Sequence, residues 1–360
     1  MSVIRRTIST PILLTLILIA IALIAVATGS RPFNQTVIDI FLRVILVVGL
    51  YIFIGNSGVM SFGHIGFTCL GAYAAAWLTM PPMMKQTLLP GLPGWLMNTQ
   101  LPFWAGAIAA ALWAALWAAL FGKILMRLSG IAASIATFAM LAMINTIYSN
   151  WESVTAATSS VVGIPIIRSI WPYLIAAILA VIVAWAHAIS RAGLALRAAR
   201  DEPTAAAASG VDIPKQRLIA FILSGAVMGM GGALFAHSIG VVTPDTFYLT
   251  LTFTTLSMLV VGGIGSLSGA VLGVVILSAL IQALRWLEAG VTVGTTTIAI
   301  PNGLQEIALG IVMILILIRR PAGIMANSEL RWPLSNPETT SLKNPGENPG
   351  NKPTQQGVSK

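Results

Sequence analysis

Ten apolar runs, each near the ~20 residues that a helix needs to cross the hydrocarbon core of a bilayer, follow one another along the chain. They cover 11–28, 37–54, 59–79, 102–122, 130–148, 171–190, 218–239, 248–263, 269–287 and 303–318. Lipid offers no partner to a backbone N–H or C=O, so segments of this kind are expected to be helical throughout. The remaining composition agrees: 57% of the 360 residues are hydrophobic and 9% are charged, against about 25% charged in a typical soluble domain. A water-soluble fold of this size would lack the polar residues to cover its surface. The expectation is therefore an all-α, polytopic membrane helix bundle with about ten transmembrane spans. The eighth run is short enough to be tilted or re-entrant. The first, with Arg5 and Arg6 ahead of it and Ala25-Val26-Ala27 near its end, also has the outline of a signal peptide, but its apolar stretch is long for one and is read as a retained span.

The net charge of +9 would suit nucleic acid if it lay on one soluble face, but here the charges bracket the apolar runs. With the N-terminus inside, alternate connections hold Arg5, Arg6, Lys123, Arg127, Arg191, Arg197, Arg200, Lys215, Arg217, Arg319 and Arg320 on one side, and Arg31, Lys85, Arg168 and Arg285 on the other. By the excess of Lys and Arg in cytoplasmic loops, both termini are expected to be cytoplasmic. The organisation expected is a transmembrane domain over 1–326, with a polar connection at 191–217, and a disordered cytoplasmic tail over 327–360, rich in Asn, Pro and Gly. No internal repeat stands out.

Several chemistries have no residues to carry them. No G-x-x-x-x-G-K-[ST] is present, so the chain holds no P-loop of its own. The run Gly262-Gly263-Ile264-Gly265-Ser266-Leu267-Ser268-Gly269 reads as a turn with close helix packing, as do Gly225-x-x-x-Gly229 and Gly269-x-x-x-Gly273. His64, His187 and His237 are far apart and lack a carboxylate or thiol at metal-ligand spacing, so no metal site is expected. Cys69 is the single cysteine and builds neither a disulfide nor a zinc site. No triad or carboxylate pair marks a catalytic centre. Ion-coupled carriers keep ionisable groups in the bilayer, and here only Asp39 and Arg43 come close; Glu288 and Glu306 belong to the outer rim. The spacing of four between Asp39 and Arg43 suits an ion pair on one helix face, and a place on a solute path is the alternative.

Two segments are informative. In 191–217, Asp201-Glu202-Pro203 before Thr204-Ala205-Ala206-Ala207-Ala208-Ser209-Gly210 predicts a short helix with an acidic N-cap region, proline in the first turn and glycine as its stop. Such a helix is too short to stand alone and is expected to dock on a partner, with Arg197 and Arg200 beside it to meet acidic residues or lipid head groups. An alanine-rich loop is the plainer alternative. In 55–67, glycines interleaved with Asn56, Ser57, Ser61 and His64 predict a broken helix. Irregular backbone at membrane depth is tolerated where it is buried in protein or lines a cavity, so these residues are either a candidate translocation path or a site of close packing.

At these residues the chain resembles the LivM-type permease of branched-chain amino-acid ABC importers. The resemblance rests on Ser61-Phe62-Gly63-His64 with Gly71-Ala72-Tyr73, Gly163-Ile164-Pro165, Gly193-Leu194-Ala195-Leu196-Arg197-Ala198-Ala199-Arg200-Asp201, Thr243-Pro244-Asp245-Thr246-Phe247, the glycine run at 262–269, and Arg320-Pro321-Ala322-Gly323-Ile324, all in the family's order. It implies a multi-pass subunit of a bacterial inner membrane. It further implies a LivH-type sister permease, two cytoplasmic ABC ATPases that bind ATP and Mg, and a periplasmic solute-binding protein as partners. By the resemblance, Arg197, Arg200, Asp201, Glu202, Pro203, Ala205, Ala206, Ala207 and Gly210 form the ATPase-coupling segment. The chain departs from the family at Ala207, where many relatives have Glu, and at Pro203. Related permeases carry urea and short amides, so the resemblance leaves these open beside branched-chain amino acids. A stand-alone channel or secondary carrier is the reading from another class.

Overall fold

The computed structural model describes residues 2–288, 291–293, 296–298, 304–320, 322–326 and 328–330. The expected side chains at the outer rim, Glu288 and Glu306, and the expected tail from 331 onward lie outside what is described.

A helix covers each of the ten apolar runs. In chain order the helices are α1 (Ser2–Thr28), α2 (Arg31–Ser57), α3 (His64–Thr79), α4 (Pro82–Leu88), α5 (Gly94–Met97), α6 (Phe103–Leu125), α7 (Gly130–Asn150), α8 (Glu152–Thr155), α9 (Trp171–Ile189), α10 (Arg191–Asp201), α11 (Pro203–Ala208), α12 (Ile213–Ile239), α13 (Leu249–Gly262), α14 (Leu267–Glu288) and α15 (Leu304–Arg319). Among the described residues, eight stretches are long and apolar enough to cross a membrane by themselves. They lie on α1, α2, α6, α7, α9, α12, α14 and on α13 joined to the 3-10 turn Pro244–Phe247 before it. The eighth run, short in sequence, gains its length from that turn. α3 and α15 have 16 residues each, below the ~20 of a full crossing. Two small antiparallel ribbons complete the chain: β1 (Val161–Val162) with β2 (Val241–Val242), and β3 (Val291–Val293) with β4 (Thr296–Ile298).

Burial sorts the helices into layers. The central stretch of α2 is 83% buried, while α6 and α7 keep 22% and 28% of theirs inside, so α2 is the core and α6 and α7 the rim. On α6 the exposed residues Ile108, Leu112, Leu116, Leu120 and Ile124 recur every four positions, the stripe expected of a face turned to lipid. Its opposite face is Gly106, Ala110, Ala114, Ala118 and Gly122, and these small residues let α12 come close. Gly229 of α12 lies where a Cβ would stand 2.3 Å from the Ala114 Cβ. On the other side of α12, a Cβ on Gly232 would stand 2.0 Å from the Thr68 carbonyl of α3. Lipid tails are as apolar as leucine, so contact of this kind, rather than water exclusion, holds such helices together.

At the end away from α10 and α11, one cation is buried that the sequence alone assigns to an exposed connection. The Lys85 ammonium donates to the Leu96 carbonyl at 3.0 Å and to the Thr99 carbonyl. Burial pushes its pKa down from the ordinary lysine range. The two carbonyls, on the segment after α4, tie that connection into one piece.

Candidate coupling site and the helix break

The polar connection at 191–217 folds into two helices, not one. α10 is an 11-residue helix with Ser190 as its N-cap, the Ser190 hydroxyl accepting from the Gly193 N–H at 3.1 Å. Gly193, Leu196 and Ala199 form its buried face. α11 follows after the cap residue Glu202, whose carboxylate accepts from the Thr204 N–H at 3.3 Å. It is six residues long, ends before Gly210 at φ +84°, and closes with the Val211 N–H donating to the Ala206 carbonyl at 3.1 Å. Gly210 belongs in that left-handed position because it lacks a Cβ. Ala206 is the single buried residue of α11; Pro203, Ala205, Ala207 and Ala208 are exposed, as are Asp201, Glu202 and Gly210. The sequence reading of a short, outward-facing alanine helix matches this geometry, while α10 as a separate amphipathic anchor was not foreseen.

The arginines of the segment turn inward instead of out. Arg197 donates to the Ala188 carbonyl at the end of α9. Arg200 holds Asp201 at 3.2 Å and donates from Nη1 to the Gly55 carbonyl at 2.8 Å. Gly55 is in the last turn of α2, where carbonyls lack helical partners and a cation is favoured. The Arg200 stem also lies over Gly58, so close that a Cβ there would stand 2.5 Å from the Arg200 Cγ, and Gly58 itself has φ +69°. The α10–α11 segment and the helix break, 145 residues apart in sequence at this contact, therefore meet directly.

The break itself is packed. Asn56, Ser57, Ser61 and His64 are 0–4% exposed. Asn56 donates to the Ile52 carbonyl at 2.9 Å, the Ser57 hydroxyl accepts from the Val59 N–H at 3.2 Å, and Ser61 Oγ lies 2.7 Å from His64 Nδ1. The His64 ring is set among Phe53, Phe67 and Phe221 at centroid distances of 5.1, 5.9 and 5.0 Å. Asp39 and Arg43 lie elsewhere, in the other half of α2. They do not close the ion pair that their spacing suggests; the Asp39 carboxylate accepts from the Gln35 amide at 3.4 Å instead.

A clasp beside the break carries a carboxylate that sequence reasoning missed. The Ile264 carbonyl of the glycine run abuts Gly55, 2.8 Å from where a Cβ would be. That run is held by the chain after α15. The Ile324 and Met325 N–H groups donate to Val261 and Gly262 at 2.9 and 3.0 Å. Glu329 accepts from the Leu267 and Ser268 N–H groups at 2.7 and 3.0 Å and from the Ser268 hydroxyl at 2.6 Å. A carboxylate on the first amides of α14 is well placed against the helix dipole. Ser328, Glu329 and Leu330, which the sequence assigns to a disordered tail, are thus bonded to the bundle.

A cavity of about 690 Å³ lies between α3, α6 and α7 and is walled by Leu70, Trp77, Trp113, Trp117, Met143 and Tyr148 among others, without a charged side chain. A zwitterion there would have both charges unmet.

Comparison with known proteins decides what this architecture belongs to. Residues 33–317 match the model of a family described as the permease component of the branched-chain amino acid transport system. The chain belongs to this family. It is 26% identical, over 89% of its own length and 77% of the relative's, to the high-affinity branched-chain amino acid transport system permease protein LivM of Escherichia coli K12. The Salmonella typhimurium LivM is 27% identical over 86% and 74% of the two chains. A shorter stretch, 22% of the chain, is 37% identical to a probable LivH permease protein of Methanocaldococcus jannaschii. No solved structure matches. The family is one of transporter permease subunits, not of enzymes, and this permease is a multi-pass membrane protein. The family's motifs acquire a physical meaning here. Gly63, Gly71 and Gly193 each lie where a Cβ would come within 2.4 Å of a backbone carbonyl, and Gly163-Ile164-Pro165 follows the strand that pairs with β2.

Proposed function

We propose that this permease is the membrane-spanning subunit of an ATP-driven importer in a bacterial inner membrane. It crosses the bilayer ten times with both termini in the cytoplasm and moves branched-chain amino acids handed over by a periplasmic binding protein. Its partners are a LivH-type sister permease and two cytoplasmic ABC ATPases, which hold the ATP and Mg; the chain itself needs no cofactor. The Arg200 contact with Gly55 carries this reading. It supports a mechanical link from an exposed helix, suited to docking in an ATPase groove, to the end of the most buried helix of the bundle. On ATP binding, a shift of α11 passes through α10 and Arg200 to α2 and biases the bundle between outward- and inward-open states. Packed residues at the break, Asn56 to His64, are the part that must repack when the path opens.

The test is uptake in vesicles holding this chain with its sister permease and ATPases, supplied with binding protein. Leucine is expected to enter only with ATP. Uptake by this chain alone, indifferent to ATP, would favour a channel or carrier, and uptake of urea or acetamide in place of leucine would move the solute class. Within that system, Arg200→Ala is expected to lower leucine uptake per ATP hydrolysed about tenfold, since a hydrogen bond to a charged group contributes about 1.5–3 kcal/mol. Arg200→Lys, which keeps the charge but loses the fork, should fall between. Equal coupling in all three would remove Arg200 from the link.

A further inference from the structure

The apolar cavity between α3, α6 and α7 is continuous with the surface that the bundle turns to lipid. On α6 it is lined by Ala109, Trp113, Trp117 and Phe121, each one position after a residue of the exposed stripe Ile108, Leu112, Leu116 and Leu120. From Ala109 to Phe121 is roughly 18 Å along the helix, close to the ~15 Å that one leaflet contributes to the hydrocarbon core. Ring contacts hold the walls open. Trp113, Trp117 and Phe121 form a ladder with centroids 5.8 and 5.5 Å apart. Opposite them, Trp77 stacks on Tyr148 at 6.3 Å and donates from Nε1 to the Val154 carbonyl at 3.0 Å. The indole nitrogens of Trp113 and Trp117 are themselves buried, so both rings show carbon to the space. The floor, Leu70 and Ala74 of α3, is 3 and 4% exposed, whereas Met143 and Ile147 of α7 line the same space and are 41 and 46% exposed. The cavity therefore opens along that edge of α7. A water held there would need about 2–4 polar partners, and none of the lining side chains is charged.

One end of this space lies at a belt of tryptophans. Trp95, Trp104, Trp151 and Trp171 are 43–70% exposed. All four lie on the side away from α10 and α11, in α5, at the starts of α6 and α9, and just past α7. Exposed indoles gather where head groups meet acyl chains. Trp95 and Trp151 belong to the belt and to the cavity wall alike, which puts the opening at head-group level. We propose that the cavity is a site for one acyl chain of a bilayer phospholipid. The chain enters between α6 and α7 from the leaflet on the Trp95 side, lies over Leu70 and Ala74, and ends near Phe121, while its head group stays at the tryptophan belt. A lipid chain is the ligand because the opening adjoins the lipid-facing stripe, and because a polar group placed there would exchange water for a wall of carbon. The chain supplies contacts that the walls otherwise lack. α6 packs on α12 and α3 far more than on α7, so lipid is what joins it to α7.

The experiment reconstitutes the assembled transporter in phospholipid vesicles doped with a phosphatidylethanolamine that carries a diazirine near the end of one palmitoyl chain. After irradiation, the labelled residues are mapped by peptide mass spectrometry. A chain outside the bundle reaches Leu112 and Leu116 on the stripe but not α3, so label on Leu70 or Ala74 identifies a chain inside. That label is expected in the unsubstituted complex. With the diazirine moved next to the head group, it should shift to Trp77, Leu78 and Trp95. Ala109→Trp puts an indole into the space beside Trp113. It should lower the α3 label at least about tenfold and leave the label on Leu112 and Leu116 unchanged. Label confined to the stripe would show that no chain enters. Label missing from stripe and cavity alike would mean that a protein partner covers this face, and would overturn the proposal too. An α3 label that Ala109→Trp leaves intact, or that stays on the same residues for both diazirine positions, would reject the stated course of the chain.

Discussion

Replacing Ala207 by tryptophan is expected to abolish ATP-driven uptake while leaving the chain folded and inserted. Ala207 is exposed on α11, and its neighbours Ala205 and Ala208 are exposed as well, so the larger side chain displaces nothing within the permease. The helix itself loses little, because the propensity difference between alanine and tryptophan is below about 0.7 kcal/mol. What the substitution changes is the surface offered to a partner. A six-residue helix with methyl-sized side chains fits a closed groove, and an indole at its centre forces helix and groove apart, where overpacking costs about 1–3 kcal/mol or more. Uptake should drop below about a tenth of the unsubstituted rate, with the amount of chain in the membrane unchanged and ATP hydrolysis no longer stimulated by loaded binding protein. Uptake within twofold of normal would mean that no partner docks here. Position 207 is a cleaner probe than Gly210 or Ala206. Any side chain at Gly210 strains its φ of +84°, and Ala206 faces inward.

Much of this arrangement was legible from local pattern alone. Helices appear where the apolar runs lie, because in lipid the backbone has no other means of satisfying its polar groups. The alanine helix was readable from Glu202, Pro203 and Gly210, whose capping roles act within a single turn. What could not be read is contact between distant segments. Arg200 looks like one more positive residue beside a membrane, and nothing near it in sequence indicates that its partner is the Gly55 carbonyl. Glu329 sits in a stretch of tail-like composition, and its role as cap depends on α14, 61 residues away. Asp39 and Arg43, four apart, invite an ion pair; a third charge, Arg285, comes near them only through the packing of α14 on α2. The same holds for α10, whose small buried face of Gly193, Leu196 and Ala199 is too sparse for periodicity to reveal.

The close approach of backbones at glycine sets how far such a bundle tolerates change, and Gly229→Leu is expected to be a strongly damaging substitution of this kind. α12 runs between α3 and α6, and Gly229 is closed in from both sides. Toward α6, a Cβ would stand 2.3 Å from the Ala114 Cβ and 2.9 Å from the Ala110 carbonyl; toward α3, a Cβ on Gly71 would stand 2.1 Å from the Gly229 carbonyl. Neither neighbour is a flexible side-chain end, so a leucine must push a whole helix outward and open the packing along its length. Dispersion between any one pair of atoms is weak, but it falls off steeply with separation and the deficit accumulates along the crossing. Between helices in lipid, no hydrophobic force closes the gap again. Overpacking costs about 1–3 kcal/mol and occasionally more, and an obstruction by backbone belongs at the upper end. Gly94→Leu is the matched control, since a Cβ there meets nothing within 4 Å. Cys69, buried on α3 at 1% exposure, reports the outcome directly: its reaction with a thiol-reactive dye during heating in detergent marks the unfolding of α3. The midpoint should fall by at least about 5 °C for Gly229→Leu and stay within about a degree for Gly94→Leu. Equal midpoints for the two would show that α12 is not held by backbone contact at this crossing.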